Sequence, residues 1–321
     1  GGEVILTEVR LRGGGGFDPD PVKPPEEDPE EPEEFIDFVV NENVFVYGSA
    51  LQFSGGNVNG PGATVIITGG LVTTDANQGA SINVSNIYFD GDVTLSSGSA
   101  SLGSRDEPGS IYINGSLTLR NGQRHIYGDV YVNGNCDLGS VNIHNKVYVN
   151  GDLTLGQDVI NFEGGAHAYY TGTLYTLSGV DTSKKQYCTH NTTVPGFAMP
   201  DLEIPPVKSP DTWYTSRGYA QSGDLVSDMK IFADSYSSTS WKSSATNVTI
   251  IAHTGDITIT GMGGSGVTGV FFAPKGKVIF GGNSLEGVVI ARDGFFVTSG
   301  GTQVTFKNIG EYITDPEDYP F

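Results

Sequence analysis

The chain has 321 residues, with 17 Lys or Arg against 37 Asp or Glu and a formal net charge of −20. So acidic a surface argues against nucleic acid and anionic membranes as partners, since both need a basic patch. No run reaches the ~18 apolar residues of a membrane-spanning helix, and 46 glycines, about twice the usual share, predict many turns and few helices.

The chain opens on Gly1-Gly2 without Met or signal peptide. It reads as a mature or trimmed fragment whose anchor lies upstream. Residues 1–12 alternate as a strand, with Val4, Leu6, Val9 and Leu11 as its apolar positions. Residues 13–36 form an acidic Pro/Gly-rich linker. Its carboxylates do not follow the spacing of a calcium loop, so it reads as an extended, solvated spacer.

Residues 37–177 carry a repeat. Ile87–Leu95, Ile111–Leu119, Val130–Leu138 and Val147–Leu155 share one pattern, strand, Asn/Asp-Gly bend, strand, and their glycines Gly91, Gly115, Gly134 and Gly151 are separated by 24, 19 and 17 residues. Such a period marks a solenoid in which each coil buries its apolar side against the next. Alternation turns Ile111, Ile113, Leu117 and Leu119 inward. It sends two rows outward: Tyr88, Tyr112, Tyr131 and Tyr148, and Thr94, Thr118, Asp137 and Thr154. The turn glycines are expected at positive φ. Cys136 aligns with Val93, Leu117 and Leu153, so it reads as a buried free thiol rather than a partner of Cys188.

Residues 178–247 break the repeat. They hold both tryptophans, Trp213 and Trp241, together with Tyr214, Tyr219 and Tyr236. That aromatic content predicts a folded insertion lying over the solenoid rather than a disordered one. Residues 248–321 resume the repeat around Gly255, Gly276 and Gly294. The fold class is therefore all-β: a right-handed parallel β-helix of about ten coils with a long irregular insertion.

Polysaccharide-cleaving chemistry needs paired carboxylates, or calcium-binding acids beside a base. The candidates are Asp90, Asp92, Asp129 and Asp152, with Arg120 or Arg124. Asp90 aligns with Asn114, Asn133 and Asn150, and Asp92 with Ser116 and Asn135, which places them in turns. The five histidines show no metal-ligand spacing, and no nucleophile elbow or phosphate loop occurs. No catalytic residue, metal or cofactor is expected. The aromatic residues are the positive signal, because sugars pack their C–H faces on rings and bond their hydroxyls to Thr, Asn and Asp. The expected carbohydrate-binding set is Trp213, Tyr214, Tyr219, Tyr236 and Trp241, joined by Tyr88, Tyr112, Tyr131 and Tyr148.

The segment Gly269–Gly294 resembles the C-terminal coils of minor-pilin-like surface proteins. Together with the acidic Pro-rich spacer and the aromatic insertion, the chain resembles the C-terminal domain of tāpirins, cellulose-binding adhesins of thermophilic plant-degrading bacteria encoded near type IV pilus genes. The resemblance implies an extracellular or cell-surface, non-catalytic β-helix whose partner is insoluble polysaccharide, cellulose above all, with pilus or cell-surface components as further partners. The rivals are a polysaccharide lyase or hydrolase on the same fold, which would release soluble sugar, and a structural pilus-associated component, which would self-associate.

Overall fold

The computed structural model describes residues 34–321. The expected strand over 1–12 and nearly all of the acidic linker lie outside the described residues.

The chain winds as a parallel solenoid of three faces. Every strand ladder is parallel. The largest sheet has 13 strands, twelve of which follow one another along the axis. At the ordinary strand spacing they span roughly 50 Å. Twelve strands exceed the expected ten coils, because Cys188–His190 at one end and Lys230–Ala233 at the other, both inside the expected insertion, each add one.

We name the faces by their outward rows. The tyrosine face is that twelve-strand path. The threonine face consists of two six-stranded sheets. The asparagine face is formed by the first halves of the long strands, such as Asn57–Ile67 and Ser81–Phe89, and by a three-stranded sheet from Arg124–Ile126 to Ile160–Phe162. The predicted register holds. Leu95, Leu119, Leu138 and Leu155 are cross-strand partners in one internal row and are buried. Cys136 sits in the same interior, unpaired, and Cys188 is also free.

The corner glycines are there for a different reason than expected. Gly91, Gly115, Gly134 and Gly151 do not have positive φ. Instead, a Cβ on Gly115 would stand 2.7 Å from the carbonyl carbon of Gly91, one on Gly134 2.8 Å from the Gly115 oxygen, and one on Gly151 2.6 Å from the Gly134 oxygen. Each glycine is the space into which the next coil's corner fits. Polar side chains lace these corners: Asn114 donates to Asp90 at 2.7 Å and Asn133 to Asn114 at 3.1 Å. One residue row on, Ser116 N–H donates to Asp92, Asp152 N–H to Asn135 and Thr173 N–H to Asp152, at 2.7 to 2.9 Å.

The path of the chain is not end to end. Val44–Gly48 pairs on one side with Asn57–Ile67, the next strand on this face, and on the other with Ser284–Ala291, near the far end of the sequence. From there the chain climbs outward to Cys188–His190, returns along the tyrosine face through residues 191–219, and starts again at the opposite end with Lys230–Ala233. The last strand, Gln303–Phe306, completes the coil that Val44–Gly48 begins, pairing with both neighbours. The span 178–247 thus divides into a short 3-10 helix (Thr182–Tyr187), a returning crossover and three solenoid strands, Cys188–His190, Lys230–Ala233 and Tyr236–Ser238.

A second apolar core lies outside the solenoid. The outward row of the tyrosine face begins Phe232, Ile251, Phe272, Ile290, Tyr47 and Ile66. The helix Phe35–Asn41, the crossover around Leu202 and Tyr214, and the tail from Ile309 to Phe321 cover it.

Candidate functional site

Beyond Ile66 the same outward row continues as Tyr88, Tyr112, Tyr131, Tyr148 and Tyr169. Their ring centroids are 4.4, 5.2, 5.1 and 5.5 Å apart, with planes within 26° of parallel. This stacking changes what the row can do. A ring whose faces rest on its neighbours presents edge and hydroxyl outward, not the broad face that a sugar ring packs on. The crossover also reaches the row: Phe197 lies 5.2 Å from the Tyr112 ring and 6.5 Å from that of Tyr131. Burial, then Tyr112 and Glu42, push the Tyr88 phenol up to about 12. Tyr169 is absent from the expected row because its copy of the repeat replaces the Asn of the bend by Thr171, although its register with Tyr148 is intact.

The other expected platforms separate. Tyr214 is fully buried, with its ring stacked 3.9 Å from Phe232, while its hydroxyl donates to the Pro320 carbonyl and accepts from Lys208 N–H. Tyr219 and Tyr236 are also buried. These three are corrections to the expected set: their rings pack inside the fold. Trp213 is half-buried, with the Arg217 guanidinium 4.1 Å and the Lys208 ammonium 5.1 Å from its ring centre. Trp241 is 66% exposed and lies at the corner following the strand Tyr236–Ser238. The two tryptophans serve different faces.

Among the described residues, nothing covers the threonine face in this way. Its outward row runs Ser237, Thr258, Ile279, Phe296 and Gln52 on one sheet. On the next it runs Val72, Thr94, Thr118, Asp137, Thr154 and Tyr175. Tyr175 is 51% and Val72 49% exposed. Asp137 is the one charged residue in that row, and Arg120 pairs with it. The Lys277 ammonium lies 5.8 Å over the Phe296 ring, so in a chain of net charge −20 the face carries little charge.

Each acid weighed for catalysis serves the fold. Asp90, Asp92 and Asp152 accept the corner hydrogen bonds described above, and Asp129 accepts from Lys146 N–H at 3.0 Å. Arg124 is fully buried, donating to the carbonyls of Ala100, Gly98, Arg120, Leu95 and Ser97 at 3.0 to 3.5 Å. Among the described residues no three His, Cys, Asp or Glu side chains come together as a metal site. Nor is any described helix long and apolar enough to cross a membrane.

No protein-family model and no curated protein matches the chain. Two solved structures do. One is the tapirin C-terminal domain of Caldicellulosiruptor kristjanssonii, 13% identical over 88% of this chain and 96% of that one, with a TM-score of 0.32. The other is a possible adhesin C-terminal domain from Caldicellulosiruptor kronotskyensis, 14% identical over 87% and 95% of the two chains, with a TM-score of 0.28. The tāpirin resemblance read from the sequence thus recurs among solved structures.

Proposed function

We propose that this chain is a non-catalytic, cell-surface adhesin that binds insoluble polysaccharide, cellulose first, through its threonine face. One observation supports this above the rest: among the described residues, an otherwise acidic protein keeps one long face uncovered and nearly free of charge, with Asp137 paired to Arg120 and the Lys277 ammonium lying 5.8 Å over the Phe296 ring. A crystalline neutral glucan offers a flat surface of ring faces and hydroxyls. Phe296, Tyr175 and Trp241 supply ring contacts, and Thr94, Thr118 and Thr154 supply hydroxyls at the coil spacing. Each contact is weak, but one rigid body makes them together, so they add through effective concentration.

The test is depletion from solution onto microcrystalline cellulose, xylan, pectin and chitin, with reducing sugar measured in the same tubes. Adsorption to cellulose should be indifferent to ionic strength. A Phe296→Ala, Tyr175→Ala, Trp241→Ala variant should adsorb about a hundredfold less, as expected if each of the three rings contributes roughly 1 kcal/mol and the contacts add. Unchanged adsorption of that variant, or its abolition by about 0.5 M salt in wild type, would sink the reading. Release of soluble sugar would move the protein to the enzyme class, and self-association without adsorption to the structural class.

A further inference from the structure

On the asparagine face one coil departs from the others. Between the threonine-face strand ending at Leu95 and the tyrosine-face strand opening at Ile111 lie fifteen residues (96–110), against ten (120–129) and eight (139–146) in the next two coils. The surplus leaves the wall as a loop. Only Leu102 still bridges its neighbours, to Ile82 and Ile126. At Gly103, φ is +93° and a side chain would run into the Tyr127 carbonyl, so only glycine makes the exit. The loop is then pinned on both sides. Glu107 N–H donates to Ser104 Oγ at 3.1 Å, and Ser85 Oγ donates to the Glu107 carbonyl at 2.6 Å while accepting from Gly62 N–H at 2.7 Å. Ser104 and Ser85 are themselves buried.

This pinned loop closes one side of a hollow of about 440 Å³. The size is that of small-ligand sites in general. Asn83 spends its Nδ2 on Asn59 Oδ1, at 3.0 Å, which leaves Asn83 Oδ1 as an acceptor. His125 spends Nδ1 on His144 Nε2, at 2.8 Å, and its Nε2 has no partner among the described residues. Tyr127 lines the hollow beside them, its ring stacked on His144 at 4.4 Å and on His125 at 5.6 Å. Arg105 and Asp106 stand on the rim, and Arg105 makes no hydrogen bond or ion pair among the described residues.

We propose that this hollow, bounded by Asn83, Arg105, Asp106, His125 and Tyr127, is a discrete binding site for a single neutral glycan chain, separate from the open face that meets the solid. The chemistry selects such a ligand. A sugar hydroxyl both donates and accepts, so it satisfies His125 Nε2 in either tautomer and Asn83 Oδ1 at once. Guanidinium and carboxylate side by side can hold neighbouring hydroxyls while offering no net charge, which disfavours an acidic sugar. Tyr127, stacked on both histidines, adds its ring edge and hydroxyl as a further contact. The choice of a glucan-type ligand rests on the adhesin reading, but the hollow itself does not.

The test uses soluble cellohexaose and xylohexaose, with trigalacturonate as the acidic comparison, titrated by calorimetry into the whole chain. Saturable binding of a neutral probe, weakened at least about tenfold by Arg105→Ala and again by His125→Ala, is expected, the scale of a hydrogen bond to a charged or rigidly held group. The threonine-face triple variant should bind the probe as wild type does. No binding of either neutral probe tighter than about 1 mM, wild-type affinity in both hollow variants, or a preference for trigalacturonate would each overturn the site. If the neutral probe binds but wild type fails to adsorb to any solid, the hollow stands and the adhesin reading falls. Adsorption without soluble binding has the opposite meaning.

Discussion

Arg124 is where alternation was most informative and most easily misread. Arg124-His125-Ile126 points in, out, in, so the pattern alone places the guanidinium inside, yet a charged residue beside a row of acids suggests chemistry. Inside, it gathers the carbonyls of Ser97, Gly98 and Ala100, which the irregular run 96–100 does not pair with a strand. Arg124→Met should therefore destabilise by about 3 kcal/mol or more, because several buried acceptors lose their donor together. Arg124→Lys should recover only part of this, having one nitrogen for several carbonyls. Urea unfolding measures both. The histidines carry the pH response. Burial, then the neighbouring His125, lowers the pKa of His144, and burial lowers that of His167. A base whose folded pKa lies below its unfolded value, 6.5 for His, binds fewer protons when folded. Stability is then full above about pH 6.5 and declines as pH falls below it toward the folded value. Melting temperature should be level from pH 7 to 8 and fall between pH 6.5 and 5. A His144→Gln, His167→Gln variant should flatten that fall; an equal fall in the variant would place the acid sensitivity elsewhere.

Among elements, the corners test how the coils are spaced. Gly115→Ala drives a methyl group into the Gly91 backbone, which is held by its own ladder and cannot retreat, so a loss of about 1–3 kcal/mol is expected. Gly196 in the crossover has open space around its would-be Cβ and no positive φ, and Gly196→Ala should be neutral or slightly stabilising. Equal effects at the two positions would show that stacking does not explain the corner glycines. The same contrast says what a reader of sequence can see. The four tight copies were legible because inside and outside alternate in them. The runs Ile250–Ala252, Val270–Ala273 and Val288–Ala291 are apolar at every step, the mark of strands covered on both sides. What covers them was not legible, since Tyr214, Phe321 and Phe35 come from three remote parts of the chain. The tyrosine row was legible as outward and the insertion as lying over the solenoid, but neither the stacking of the rings nor Phe197 as the residue that roofs them was. Ring stacking depends on a shared rotamer along successive coils, and the roof on the path of the crossover, neither of which leaves a local signature. The open threonine face needed only the register, which the repeat supplied.

At the scale of the molecule, the solenoid is a continuous rod built from a discontinuous chain. The Phe35 and Phe321 rings are 5.9 Å apart, so the two ends of the described chain meet beside the same coil. Joining Phe321 to Phe35 through a short linker and opening the chain at Gly196 should give a permuted protein in which the two halves become one covalent solenoid. It should fold, melt in a single transition and keep its melting temperature within about 5 °C. Two separate transitions would mean that the seam between Val44–Gly48 and Ser284–Ala291 is weaker than its paired strands imply. That seam also decides how the rod responds to being pulled. Tension arriving at Glu34 passes to a strand with neighbours on both sides, four toward one tip and seven toward the other, rather than to a tip. A terminal strand peels, breaking its bonds one after another at low force. A strand gripped on both flanks must slide, breaking them together. Pulled at Glu34, the rod would thus be held from within its own length and would yield last at Val44–Gly48.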